Sequence, residues 1–254
     1  MSSSLHSTLV VLFFVDMAIM LGVGSRLLFA AARTHRAAEA AVGTSATFGA
    51  LGVILSMTAT QVFQRDPAFF GVWALGRVLL AISVGGLALG TWRIYRPDSS
   101  LAATASAVVC ALAAVGCAIR ILPGSIASPQ DHAIYSVFTF ASSLSAYGWA
   151  TWEAFRYHAQ LKRRLALGLA SPVVAEQFRL WGVSGACTLA TSAVSGAFMY
   201  ASGRNLSSVP AAFIPAQLAL FVTSLALWFA FYPPAFYRRR LSSRAPRAPR
   251  VASR

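Results

Sequence analysis

The sequence predicts an all-α, polytopic membrane protein of seven transmembrane helices, with its N-terminus outside and its C-terminus in the cytoplasm. Three observations carry that expectation. Of the 254 residues, 57% are hydrophobic and only 11% are charged, against about 25% charged in an ordinary soluble domain, and the mean hydropathy is +0.64. The apolar residues gather in seven runs, each long enough for a bilayer core of about 30 Å, which takes roughly 20 helical residues. The cations stand almost entirely between those runs and mostly on one side of the predicted membrane, as the bias of Lys and Arg toward cytoplasmic loops requires.

The first span is 8–31. "MSSSLHST" has no positive charge, Asp16 interrupts the run, and the run is long enough to cross, the pattern of a transmembrane helix and not of a signal peptide. The second and third spans are 43–63 and 69–92; Gly86 and Gly90 in the third suit close helix contacts. The fourth, 101–122, holds Cys110 and Cys117, and Cys187 lies in the sixth. No hydrophilic loop pairs them, so they are expected as small apolar thiols and not as disulfides. The fifth span, 132–155, follows Ser128-Pro129-Gln130-Asp131, an N-cap, a first-turn Pro and an acid at a helix start. The sixth, 177–201, follows Ser171-Pro172, another helix start, and the seventh is 211–232. Backbone groups in lipid find no water, so each run is a helix; the alternation of a membrane β-barrel is absent.

Orientation follows from the cations. Arg33, Arg36, Arg93, Arg96, Arg156, Lys162, Arg163, Arg164 and Arg179 join seven arginines from Arg238 onward to place sixteen on one side. The other side has Arg65, Arg120 and Arg204, and Arg26 and Arg77 lie within spans. That side of sixteen is the cytoplasm. Trp92, Trp152, Trp181 and Trp228 fall at the predicted cytoplasmic ends, and Trp73, Tyr135 and Tyr200 toward the outer ones, as interfacial aromatics do.

Between the fifth and sixth spans the pattern breaks. A helix running from Ser128 to Leu167 would be about 58 Å long at 1.5 Å per residue, so it overruns the bilayer. "GLAS" then turns the chain, giving a cytoplasmic hairpin at about 156–176. Lys162, Arg163 and Arg164 on one limb can approach Glu176 on the other and meet a cytoplasmic protein partner. Alternatively they lie on anionic headgroups with Leu161, Leu165 and Leu169 inserted. Residues 1–237 are thus one seven-helix domain, and 238–254, led by Arg238, Arg239 and Arg240, a basic, disordered, lipid-associated tail.

Ionisable residues within a span are costly and mark candidate sites. Asp16 and Arg77 each lie about 10 to 12 Å in from the outer end of their spans at the helical rise. Matching depth permits an ion pair, with Arg120 as a second possible partner. Arg26 and Glu153 lie near cytoplasmic ends, where long side chains reach the interface. The fifth span is the most polar and the sixth carries Ser184, Thr188, Thr191, Ser192 and Ser195, and Tyr135, Thr139, Ser142, Ser143, Tyr147, Thr188 and Ser192 form a candidate polar pocket between the fifth, sixth and third spans. The same small residues also suit helix packing.

Much chemistry is missing. No His-Glu-x-x-His, phosphate loop or nucleophile elbow occurs, so neither an enzyme, a metal site nor a cofactor is expected. His6, His35, His132 and His158 lie at span boundaries, away from the interior faces where haem would be ligated. The only lysine, Lys162, is outside the seventh span, which excludes a covalent retinal site. Nucleic acid is not expected either, because the net charge of +14 is that of membrane orientation.

The runs "RRLALGLASPVVAEQFRLWG" and "WFAFYPPAFYRRRL" resemble matching pieces of an uncharacterised family of bacterial seven-helix membrane proteins. The resemblance implies the fold and the inner membrane, and no activity. Function is expected to be receptor-like or regulatory, with an outward polar site coupled to the cytoplasmic hairpin. A small-molecule transporter and a structural subunit of a membrane complex are the alternatives; internal repeats that would favour a transporter are absent.

Overall fold

A computed structural model of the protein describes residues 3–62, 68–121, 129–202 and 210–242. Among the described residues the chain is all-helical, with α1 (Ser3–Thr34), α2 (Ala37–Val62), α3 (Phe69–Tyr95), α4 (Ser100–Ile121), α5 (Pro129–Ala166), α6 (Pro172–Ser202), α7 (Pro210–Phe231) and α8 (Ala235–Ser242). Successive helices pack side by side from α1 to α7, and α7 returns to α1 to close a ring. α3 also touches α5, and α8 lies against α6.

Five helices, α1 to α4 and α7, are long and apolar enough to cross a membrane. The protein is therefore multi-pass. α5 and α6, at 38 and 31 residues, have the length but are more polar. The ring turns Leu101, Phe29, Phe14 and Trp152 outward, each more than half exposed. So many large apolar side chains on the outer wall suit hydrocarbon and not water.

Because lipid is as apolar as leucine, helices in it adhere through close backbone approach. The α2–α3 pair does so at Gly52 and Gly76, where a methyl on either would stand within 3 Å of the other's carbonyl oxygen. Gly86 faces Thr44 and Gly90 faces Ala41 along the same seam, so the expected small-residue contacts of the third span are with α2.

The turn after α5 is a Schellman motif. Leu169 N–H donates to the Arg164 carbonyl at 2.9 Å and Gly168 N–H to that of Leu165 at 3.0 Å, while Gly168 takes φ 73, a left-handed conformation that glycine adopts without strain. Pro233 and Pro234 end α7, since proline cannot continue a helix. The chain then starts α8, which holds Arg238, Arg239 and Arg240. The beginning of the expected disordered tail is thus helical, because Leu241 is buried and Tyr237 is bonded to Glu176 of α6. Residues 243–254 lie outside those described.

Candidate ligand cavity

The ring encloses a cavity of about 300 Å³ walled by side chains from all of α1 to α7. The spacing of polar residues on each helix explains the lining. Thr139, Ser143 and Tyr147 on α5, and Ser184, Thr188 and Ser192 on α6, recur at intervals of four and so share one face of each helix. That face turns inward, since hydroxyls seek partners that lipid cannot provide.

Asp16 of α1 is 1% exposed. Its carboxylate accepts a hydrogen bond from the Ser224 hydroxyl of α7. Beside it, the Thr223 hydroxyl donates to the Ser184 carbonyl at 3.3 Å and stands 3.4 Å from the Thr188 hydroxyl. Across the cavity, Ser83 of α3 donates to the Ser45 carbonyl of α2 at 2.7 Å, and the Tyr147 hydroxyl of α5 lies close to both serines. Polar contacts thus tie α1 to α7, α7 to α6, and α2, α3 and α5 together around the wall.

Arg77 of α3 also lines the cavity. Its guanidinium carbon is 5.1 Å from the centroid of the Trp73 ring, and that of Arg120 on α4 is 5.2 Å from the same centroid. One buried indole therefore holds two cations by its negative π-face.

The cavity brings together Asp16, Arg77, Thr139, Ser142, Ser143, Tyr147, Thr188 and Ser192 of the residues singled out in the sequence. Asp16 and Arg77 share the wall, while the hydrogen bond to Asp16 comes from Ser224. Arg120 is placed by Trp73 instead, and the side chain of Tyr135 lies outside those described. The pocket also exceeds the expected three spans. Ser45, Ser83, Thr223 and Ser224 were missed, although Thr223-Ser224 is a polar pair within an otherwise apolar run, at the depth of Asp16.

Beneath the cavity the hairpin end is built separately. Trp181, expected in the interfacial belt, instead lines the cavity and packs on Tyr95, Phe178 and Phe231, with ring centroids 6.0, 6.0 and 6.4 Å away. Tyr157 packs against Phe178 with tilted rings 4.6 Å apart, so an aromatic floor separates cavity from hairpin. Below it Glu153, 5% exposed, accepts from Arg96 at 2.6 Å and faces Arg156 at 3.8 Å. Arg26 covers the Tyr232 ring at 4.3 Å.

Glu176 is bound by Arg179 at 2.5 and 2.9 Å and by the Tyr237 hydroxyl at 2.6 Å. It therefore pairs within its own helix and with α8, and not with Lys162, Arg163 or Arg164 as expected. A partner three residues along α6 is already adjacent, whereas those three cations sit exposed on α5. Burial pushes the Glu176 carboxyl up, but the hydrogen bonds from Arg179 and Tyr237 and the Arg179 charge outweigh it and hold the group below its usual value. Nor do the hairpin leucines share one lipid-facing side: Leu161 is buried, and Leu169 is 74% exposed beyond the turn. No family model, curated protein or solved structure matches the chain.

Proposed function

We propose that this is a receptor-like membrane protein. It spans a bacterial inner membrane seven times with its N-terminus outside, binds a small ligand among its helices, and changes the cytoplasmic surface formed by the hairpin and α8. The observation that carries this is the cavity of about 300 Å³ to which every helix of the ring contributes, within the size range of small-molecule sites. Counting α5 and α6 as spans is supported by their places in the same closed ring, with their hydroxyl faces inward. Orientation is supported by the cations: the hairpin and α8, both basic, are at the end opposite Trp73 and Arg77.

Coupling has a physical route. Trp181 touches both the cavity and the aromatic floor, Phe178 lies one turn before it on α6, and Phe229 lies 5.6 Å from Tyr237 of α8. A ligand that moves Trp181 would shift α6 against α8, provided that it binds the two arrangements with different affinity.

The test places fluorophores at Lys162→Cys and Arg239→Cys in purified protein, with the native cysteines replaced, and screens small molecules. A ligand should change the distance between the labels, lose its effect in the cavity-filling Ser192→Phe variant, and fail to cross sealed vesicles containing the protein. Passage through those vesicles would make it a carrier. An unchanged distance for every bound ligand would refute the receptor reading.

A further inference from the structure

A short lead ties α8 to the membrane. The apolar run of α7 ends at Phe231 and α8 begins at Ala235. Four residue steps reach at most about 14 Å, and the headgroup layer on each side of a bilayer core is about 5–8 Å thick. α8 therefore starts within about a Debye length, about 8 Å at physiological ionic strength, of the headgroup charges. Trp228, one turn before the end of α7, is exposed on the outer wall, the place of an interfacial aromatic.

The rotation of α8 is fixed by Tyr237, bonded to Glu176 of α6, and by buried Leu241 four residues on. Phe236, Arg239 and Arg240, spaced by three and four, share a different side. All three are exposed there, and Phe236 shows 69% of its surface. A phenyl ring beside guanidinium groups is the composition of a helix face that lies on a membrane, with the ring among acyl chains and the cations at phosphate level. The charge of this segment is one-sided, since Ala235 to Arg254 contain seven arginines and no acid. At the same end of the bundle Glu39 is engaged by Arg36, Glu153 by Arg96 and Arg156, and Glu176 by Arg179. Asp98 lies in the turn between α3 and α4, and α8 packs on neither of those helices.

We propose that the face of α8 carrying Phe236, Arg239 and Arg240 binds an anionic phospholipid, the arginines meeting its headgroup and the ring entering beside its acyl chains, so that anionic lipid holds α8 against α6. This goes beyond the ligand-binding reading and does not depend on it. Each basic residue near an anionic surface strengthens association by about fivefold, whereas a zwitterionic headgroup has no net charge to attract it. Lipid is the occupant because the covalent lead keeps this face beside the headgroups at all times, and a soluble protein would have to displace them first.

The experiment uses the full chain in nanodiscs of phosphatidylcholine alone and of an equal mixture with phosphatidylglycerol. Amide hydrogen exchange of α8 is followed at low and high salt, with α3 as the internal reference. Exchange in α8 should slow by about tenfold or more in the mixed discs, and high salt should remove the difference. Arg239→Gln with Arg240→Gln should cancel the slowing, and Phe236→Ser should weaken it. Arg33→Gln with Arg36→Gln, which removes as much charge at the end of α1, should leave it unchanged. Soluble glycerol phosphate added to phosphatidylcholine discs should have no effect. Should the double α8 variant fail to fold, the lipid and salt comparison on the unaltered protein and Phe236→Ser still decide. Equal α8 exchange in the two lipids would overturn the proposal, as would a lipid effect that survives the double α8 variant. So would equal slowing by glycerol phosphate, which needs no membrane, or slowing only in discs that hold two copies, which would assign the face to a second chain.

Discussion

At the scale of single residues, the smallest side chains determine how closely the helices approach. Gly52 and Gly76 put the α2 and α3 backbones against each other, and a methyl on either would meet two backbone atoms of the facing helix within 3 Å as well as a side chain. Gly71, on the same helix as Gly76, has open space around it. Gly52→Val and Gly76→Val are therefore expected to destabilise the protein by about 1–3 kcal/mol each through overpacking. Gly71→Ala should be neutral or stabilising by up to about 1 kcal/mol, since alanine loses less freedom in a helix. Unfolding midpoints in mild detergent measure both, and equal losses at Gly71 and Gly76 would contradict the seam. The candidate site was partly legible at this scale. A carboxylate within an apolar run is conspicuous in any sequence, and so were Asp16 and Arg77. Ser224, the partner Asp16 acquires, was not, because a hydroxyl in a membrane helix more often serves packing.

At the scale of elements, α8 is the most conditional part of the fold. It packs on α6 and meets α7 through the Phe229–Tyr237 ring pair, and the Tyr237–Glu176 hydrogen bond attaches it to α6. Glu176 is held below its usual value by Arg179 and Tyr237 in the folded state. Its contribution is thus complete above the ordinary carboxylate range and is lost as pH falls through the lowered folded value. Arg179 is partly exposed, so screening keeps the contribution small. Hydrogen exchange in α8 should accordingly rise on acidification, and Glu176→Gln should reproduce that rise at neutral pH while α3 exchange stays unchanged. A pH-independent α8 would show that contacts other than the Glu176 hydrogen bond, among them buried Leu241 and the Phe229–Tyr237 ring pair, hold it. The hairpin turn was readable because Gly168 and Ser171-Pro172 carry their conformations locally. α8 was not, because eight residues with three consecutive arginines have no helical stability of their own. It forms against α6, and no local pattern announces that.

At the scale of the whole molecule, two physical effects meet: lipid selects which segments are helical, and packing selects which faces turn inward. With native cysteines replaced by alanine, Lys162→Cys and Arg239→Cys should resist a membrane-impermeant maleimide in intact cells and react after permeabilisation, whereas Arg204→Cys should react from outside. Reaction of Lys162→Cys in intact cells would invert the proposed orientation. By itself the sequence determined the all-helical class, the multi-pass character and the limits of most helices, because length, hydropathy and turn residues act locally or against the solvent. Only the tertiary structure decided that α7 closes on α1, that Trp181 faces the interior, and that Asp16, Arg77 and the hydroxyls of five helices share one cavity. Those outcomes depend on the rotation of each helix about its own axis, which is set by contacts between residues as far apart as Asp16 and Ser224 and leaves no periodic trace in spans that are apolar nearly all round.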